Sequence, residues 1–335
     1  MTTPAVSILL PVRNEERFLP AALASLFRQT FSDWELIAVD DGSTDGTPAL
    51  LAEAARRDAR VRLLRRDPEG LVPALNAGLA ACRSSLVARM DGDDVCHPHR
   101  LEQQVNHLAA YPDTGLVACG VRHFPRPQLR GGMAAYEAWQ NALVDHDSIL
   151  RNLYVESPFA HPSVLFRREV VERAGGYRQL AWAEDYDLWL RLARAGVRFA
   201  RLPEVLLFWR DRPERLTRTA ATCSLAAFRA CKAHHLRQGF LRDAAEVTLW
   251  GAGLEGKAWR QALTVEGVRV GRWLEVDQRK IGQTIHGAPV VGIEALRPGD
   301  GPVLITVGAR GARQQVRAFA AKAGLIEGVD YLCVT

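Results

Sequence analysis

Two carboxylate-rich segments and one glycine-rich segment carry the residue types that could do chemistry in this chain. Asp91-Gly92-Asp93-Asp94 places three carboxylates within four residues. Such groups repel one another unless a cation is present. They offer the hard oxygen ligands that Mg²⁺ or Mn²⁺ takes, and an ion held there would bridge two phosphates. The plain alternative is an acidic turn. Val39-Asp40-Asp41-Gly42-Ser43-Thr44-Asp45-Gly46-Thr47 is the second set. Asp40 and Asp41 can accept hydrogen bonds from a base or a ribose, and the glycines permit close approach. Asp45 and Ser43 read instead as caps of the helix that follows. Toward the C-terminus, Gly251-x-Gly253-x-x-Gly256 has the spacing of a dinucleotide-binding turn, with Glu275 and Asp277 about two dozen residues later, where a ribose-binding acid is expected. The same glycines overlap a P-loop pattern, but Ala258 stands where that motif needs a hydroxyl for magnesium, which excludes it.

These segments fall where strands should end. Val6–Val12 predicts a buried strand, and Glu15–Arg28 has apolar residues at helical spacing. Trp34–Val39, Val61–Leu64 and Ser85–Met90 predict further strands, separated by helices over Thr47–Arg57 and Leu71–Cys82. Repeated β-α-β units imply a parallel sheet with helices on both faces, whose ligands sit at the carboxyl ends of the strands. Arg13-Asn14-Glu15, Asp40–Ser43 and Asp91–Asp94 lie at those ends. His97 and His99 beyond the acids suggest a turn into a helix over Leu101–Leu108 rather than a mixed metal site. Residues 121–150, with two prolines and Gly131-Gly132, predict an excursion from the sheet ending in a helix near Ala134–Val144. Val164–Phe166 predicts a short strand, Asp185–Ala195 a helix and residues 217–240 a helical connector. A second β-α-β pattern begins at Glu246–Trp250, continues through Val268–Val276 and Val303–Val307, and ends in a helix over Ala312–Ala323.

The chain has 335 residues and is 48% hydrophobic and 24% charged, a composition that excludes a mostly disordered protein. No apolar run reaches the roughly 18 residues of a membrane span, and the N-terminal segment does not read as a signal peptide. The formal net charge is +5, and residues 201–242 hold nine basic side chains against three acids. That stretch reads either as a solvated helix surface or as a site for phosphates or an anionic membrane face. The excess of Arg over Lys is read as compositional, and no nucleic-acid partner is expected. The six cysteines show no C-x-x-C spacing and read as reduced, mostly buried thiols of a cytoplasmic protein.

Five motifs then occur in order: Pro11-Val-Arg-Asn14, Val39–Thr47, Leu75-Asn-Ala-Gly78, Met90-Asp-Gly-Asp-Asp94 and Ala183-Glu-Asp-Tyr-Asp-Leu-Trp189. Together they resemble a family 2 glycosyltransferase with the GT-A fold, over roughly residues 4–215. The resemblance implies a nucleotide-sugar donor, most often a UDP-sugar, and a divalent metal held by Asp91 and Asp93. It places the nucleoside near Pro11, Arg13, Asn14, Glu15, Asp40 and Asp41, with Asn76 and Asp91 near the donor. It maps the base of an inverting transfer to Asp185. A carboxylate at a helix start is favoured in its charged form by the helix dipole, so Asp185 is expected to be ionised at neutral pH; a simple helix cap is the alternative. Glu184, His161, Trp182 and Arg210 are weaker candidates near the acceptor or the donor phosphates, with surface, strand-entry or core roles as alternatives. The Gln-x-x-Arg-Trp element of processive synthases is missing, which points to addition of one or a few sugars to a glycan or lipid-linked acceptor in envelope polysaccharide synthesis.

The expected architecture is thus α/β: a doubly wound, mostly parallel GT-A sheet over 1–215, a basic helical connector over 216–243 and a small Rossmann-like domain over 244–335. The C-terminal glycines with Glu275 and Asp277 leave open an NAD(P) or second nucleotide site, and with it an NAD(P)-dependent oxidoreductase, beside a non-catalytic role for that domain. A non-catalytic nucleotide-sugar-binding module is the third reading. The expected location is the cytoplasm, with peripheral contact at the inner face of the membrane.

Overall fold

The computed structural model describes residues 3–129, 131–309 and 311–335. They form two compact units. The first gathers residues through Ile149 with Pro158–Leu180 and Glu184–Thr219; the second gathers Leu150–Ser157, Ala181–Ala183 and Ala220–Thr335.

The first unit is built on an eight-stranded sheet. β1 (Val6–Val12), β2 (Trp34–Asp41), β3 (Val61–Arg66) and β4 (Leu86–Arg89) are parallel, connected by α1 (Leu19–Phe27), α2 (Thr47–Arg57) and α3 (Leu71–Ala81). Every residue of β1 and β2 is buried, as a strand covered on both faces requires. The chain then adds β5 (Val95–Cys96), α4 (Arg100–Ala110), β6 (Thr114–Phe124), α5 (Gly131–Asn141), α6 (His146–Asn152), β7 (Leu165–Arg167), α7 (Arg168–Arg173), α8 (Glu184–Arg194), β8 (Arg198–Arg210) and the short α9 (Leu216–Thr219). The strand order is β3-β2-β1-β4-β7-β6-β8-β5. β7 runs antiparallel to β4 and β6, while β6 and β8 are parallel over most of their length. The order reverses between β1 and β4, the switch point beyond which open α/β sheets bind ligands.

Local differences from the sequence expectations have physical causes. α1 starts at Leu19, not Glu15, because Pro20 occupies its first turn and the Glu15 carbonyl closes a separate turn to Phe18 and Leu19. That frees Asn14 to take a left-handed backbone, φ 55°. α5 begins at the glycine pair rather than Ala134, and residues 121–124 remain in the sheet as the end of β6. The basic stretch is only partly a helix surface: Arg201 lies buried in β8, donating to the carbonyls of Leu143, Cys119 and Pro158.

α3 lies close on the sheet because position 78 has no side chain. A Cβ there would come 2.2 Å from Leu9 Cδ1 and 2.8 Å from Val39 Cγ2. Gly78→Ala is therefore expected to destabilise the protein by about 1–2 kcal/mol, overpacking outweighing the gain in helix propensity. A lower urea midpoint at unchanged slope is the measurement that checks it.

The second unit holds α10 (Leu225–Gln238), β9 (Glu246–Trp250), α11 (Leu254–Val265), β10 (Arg269–Glu275), β11 (Thr284–Ile285), β12 (Ala288–Gly292), β13 (Val303–Ile305), α12 (Ala312–Lys322) and β14 (Tyr331–Cys333). Its sheet order is β11-β12-β10-β9-β13-β14, parallel apart from the β11–β12 hairpin. α10 joins this core through Ala233 and Leu236, packed with Val247, Leu249, Trp259 and Trp273. Lys232 on the same helix is buried and donates to the carbonyls of Val155, at 2.7 Å, and Val334, at 3.3 Å. No helix among the described residues is long and apolar enough to cross a membrane.

Candidate active site

The loops after β1 and β2 are laced together. Asn14 N–H donates to Ser43 Oγ at 3.0 Å, Asn14 Oδ1 accepts from Thr44 N–H at 2.8 Å, and Glu15 N–H donates to Thr47 Oγ1 at 2.7 Å. Asp45 accepts from the backbone of Thr47 and Glu16. Asp40 is buried and accepts from Ser43 N–H at 3.0 Å. Asp41 accepts from Glu69 N–H at 2.9 Å and Gly70 N–H at 3.0 Å, with Arg13 at 3.7 Å. Pro11 is buried in β1 opposite Val39. Arg13 and Asn14 are exposed, so these loops present a charged and a polar side chain on a framework that their own hydrogen bonds hold rigid.

Asp91, Asp93 and Asp94 follow β4 immediately, and one oxygen of each lies within 4.8 Å of the others. Each acid has a different partner. Asp91 pairs with the buried guanidinium of Arg89 at 2.7 Å. Asp93 pairs with Arg212 Nε at 2.9 Å. Asp94 Oδ1 accepts the backbone N–H of Arg210 at 2.7 Å, while its buried Oδ2 has no hydrogen-bond partner among the described residues. Burial opposes ionisation of Asp91, but Arg89 holds it below the usual carboxylate range. Burial, reinforced by repulsion from Asp91, raises Asp93. Burial together with Asp93 and Asp91 pushes Asp94 well up. A crowded set of hard oxygens with one buried oxygen unsatisfied fits a divalent cation.

Glu15 reaches the same cluster. It forms an ion pair with Arg212, and burial, then Asp93, push it up to about 7. Arg210 buttresses the cluster from behind, its Nε donating to the Asp93 carbonyl at 2.7 Å and its guanidinium stacking on Phe18 and Phe124.

Asp185 lies in the first turn of α8, where its Oδ1 accepts Tyr186 N–H at 2.7 Å. The expectation that the helix dipole keeps it ionised is corrected here: burial, then the adjacent Glu184 carboxylate, push Asp185 up to about 8. The dipole is worth about 0.3–1 kcal/mol at an exposed end, too little against lost hydration and a neighbouring negative charge. Asp187 faces away and pairs with Arg191 at 2.7 Å.

His161 connects the two acidic groups. It is buried, its Nε2 lies 2.9 Å from the Tyr177 hydroxyl, its Nδ1 lies 3.6 Å from Glu184, and its ring meets Trp189 edge-on. Burial, then Arg89, push its basicity down, against the nearby carboxylates of Glu184 and Asp91. Arg89 interacts electrostatically with Asp91, Glu184 and Asp185, so the acid cluster and α8 share one neighbourhood.

Asn76 turns its amide to the chain, donating to Tyr177 O at 2.9 Å and accepting Tyr177 N–H at 3.0 Å. It thereby holds the turn that carries the Tyr177 hydroxyl. Trp182 belongs to the second unit, its ring 5.4 Å from His234. His99 lies at the start of α4, with Nδ1 3.1 Å from Glu102.

In the second unit, Gly251 has φ 115°, and a Cβ on Gly256 would meet the Gly251 carbonyl at 1.9 Å. Gly253 is the N-cap of α11. Glu275 turns onto this loop, accepting Ala252 N–H at 3.2 Å and pairing with Lys280 at 2.9 Å. Asp277 pairs with the exposed Arg279 instead.

Sequence reasoning missed Arg89, Arg212, Tyr177 and the orphan oxygen of Asp94. The charge excess over 201–242 was the one available signal for Arg212. Tyr177 and Arg89 had none, because both act through non-local contacts.

The family described as glycosyl transferase family 2 matches residues 7–175 of this chain. The amylovoran biosynthesis glycosyltransferase AmsE of Erwinia amylovora is 34% identical over 206 residues, 60% of this chain and 74% of that protein. The O-antigen biosynthesis glycosyltransferase WbnJ of Escherichia coli is 30% identical over 236 residues, 70% of this chain and 88% of its own. Among solved structures, residues 1–349 of S. aureus TarS in complex with UDP-GlcNAc superpose with a TM-score of 0.57 at 17% identity, covering 78% of this chain and 71% of that one. That likeness establishes a shared GT-A fold.

Proposed function

This chain belongs to glycosyl transferase family 2, and we propose that it moves a sugar from a UDP-sugar to a hydroxyl of a glycan or lipid-linked acceptor, with inversion at the anomeric carbon. The observation that carries this reading is one electrostatic neighbourhood holding both a crowded acid cluster and a separate carboxyl of high proton affinity. Asp91 and Asp93, with Asp94 beside them, are the residues that would hold Mn²⁺ or Mg²⁺. A cation bound there supplies positive charge to the departing nucleoside diphosphate. Arg13, Asn14, Glu15, Asp40 and Asp41 frame the nucleotide side; Asp40 and Asp41 act mainly by fixing the loop that approaches it.

Asp185, once ionised, takes the proton of the acceptor hydroxyl as that oxygen bonds to the anomeric carbon and the bond to the diphosphate breaks on the opposite face. A carboxylate raised to about 8 is a stronger base than an ordinary aspartate. Burial keeps it so, with repulsion from Glu184 second, and His161 with Tyr177 holds Glu184 in place. The names of AmsE and WbnJ, an amylovoran and an O-antigen biosynthesis glycosyltransferase, support a role in polysaccharide or O-antigen synthesis.

A panel of UDP-, GDP- and TDP-sugars with Mn²⁺ tests the reading. Acceptor-dependent release of UDP is expected, with an inverted anomeric signal in the product by NMR. Release from GDP- or TDP-sugars alone would reject the UDP assignment, and retained configuration would reject Asp185 as a simple base.

A further inference from the structure

Arg212 is not needed by the chemistry above, yet it makes the closest side-chain ion pair to Asp93. The three acids are balanced in different ways. Arg89 serves Asp91 with a side chain only 2% exposed, so it is fixed in the interior. Arg210 serves Asp94 with a backbone N–H, which cannot leave. Arg212 serves Asp93 with a guanidinium that is 23% exposed and stands just beyond the end of β8. It also pairs with Glu15, which gives it a second carboxylate to rest on. Arg215 also acts electrostatically on all three acids, but of the two guanidinium groups that form ion pairs with them among the described residues, Arg212 is the more exposed and the one that can move without stranding a buried charge.

We infer that Arg212 is the chain's own resident cation at the Asp91–Asp94 cluster, and that a divalent ion binds there only by displacing its guanidinium from Asp93 onto Glu15. This rests on the metal reading given above. The argument is electrostatic. A guanidinium 2.9 Å from an Asp93 oxygen occupies the position a metal ligand must offer, and two cations that close repel strongly in a partly buried site. Asp94, with one buried oxygen that has no hydrogen-bond partner among the described residues, lies within the same carboxylate cluster and offers the ion a further ligand. The displaced guanidinium remains beside the cluster, available to an incoming diphosphate, so metal and nucleotide favour each other.

Calorimetric titration of Mn²⁺ into the full-length protein without nucleotide tests this directly. Arg212→Gln is expected to bind Mn²⁺ about tenfold more tightly than wild type, because the competing charge is gone. Arg212→Lys, which keeps a charge, is expected to stay near wild type. Adding UDP is expected to tighten Mn²⁺ binding less in Arg212→Gln than in wild type. Equal or weaker Mn²⁺ binding by Arg212→Gln would overturn the displacement while leaving the metal site standing. No Mn²⁺ binding by any of the three proteins, or undiminished binding by Asp91→Asn, would overturn the metal reading and the inference with it.

Discussion

Asp185→Asn is expected to reduce sugar transfer by about 10²–10⁴-fold, the usual contribution of a positioned general base, while nucleotide binding survives. Its effect on stability has the opposite sign from most substitutions, which destabilise. The folded carboxyl is raised to about 8 from an ordinary value of 3.8. Between those values the folded chain holds a proton that the unfolded chain has released, so this residue's contribution to stability declines as pH climbs from about 4 to about 8. Asparagine has no charge to desolvate, so the variant should melt at or above the wild-type temperature at pH 8 and match it more closely at pH 5. The same shift predicts that kcat/KM, which reports the free enzyme, rises with pH through about 8 in wild type. Turnover by Asp185→Asn within a few-fold of wild type, or a flat profile across pH 6–9, would remove Asp185 from the role of base.

Asp91→Asn is the other large effect, and its stability signature is reversed. Transfer should fall on the order of 10³-fold, since a metal ligand contributes several kcal/mol of charge stabilisation in the transition state. Here the carboxylate also neutralises Arg89, whose side chain is 2% exposed. Removing one partner leaves a buried cation uncompensated, which is strongly destabilising. The variant should therefore melt several degrees below wild type, and added Mn²⁺ should no longer raise its melting temperature. Two inactive variants that shift stability in opposite directions separate the roles. A variant at Asp91 that is both active and as stable as wild type would show that this carboxylate neither serves the diphosphate nor balances Arg89.

The parts of this molecule that were legible in advance share a cause. β1, β2 and their crossover helices are patterned locally: a run of buried β-branched and aliphatic residues, then apolar residues at helical spacing. β9, with the same bounds in sequence and structure, is another such case. β6 and β8 were not legible. β8 interrupts its apolar residues with Arg201, Pro203 and Glu204, and it forms because it pairs with β6 across about eighty residues of chain. Strand pairing of that range leaves no periodic trace in the sequence.

The same division runs through the site. Its acids were readable because strand ends in a parallel sheet must converge and because three carboxylates in four residues call for a counter-charge. Which cation answers each acid was not readable. Arg89 is local but buried by tertiary packing, and Arg212 follows β8, a strand much later in the chain that pairs with β5 directly after the acids. The proton affinity of Asp185 departs from the helix-dipole expectation for the same reason. A helix dipole is a property of the local chain, whereas desolvation depends on everything packed around the carboxyl. The family, the parallel half of the sheet and the identity of the acidic residues were all readable from the chain, because they follow from local pattern and motif order. How burial shifts the proton affinity of each acid, and which cation each one faces, came from the folded structure, because desolvation and pairing are set by packing and by contacts between distant segments.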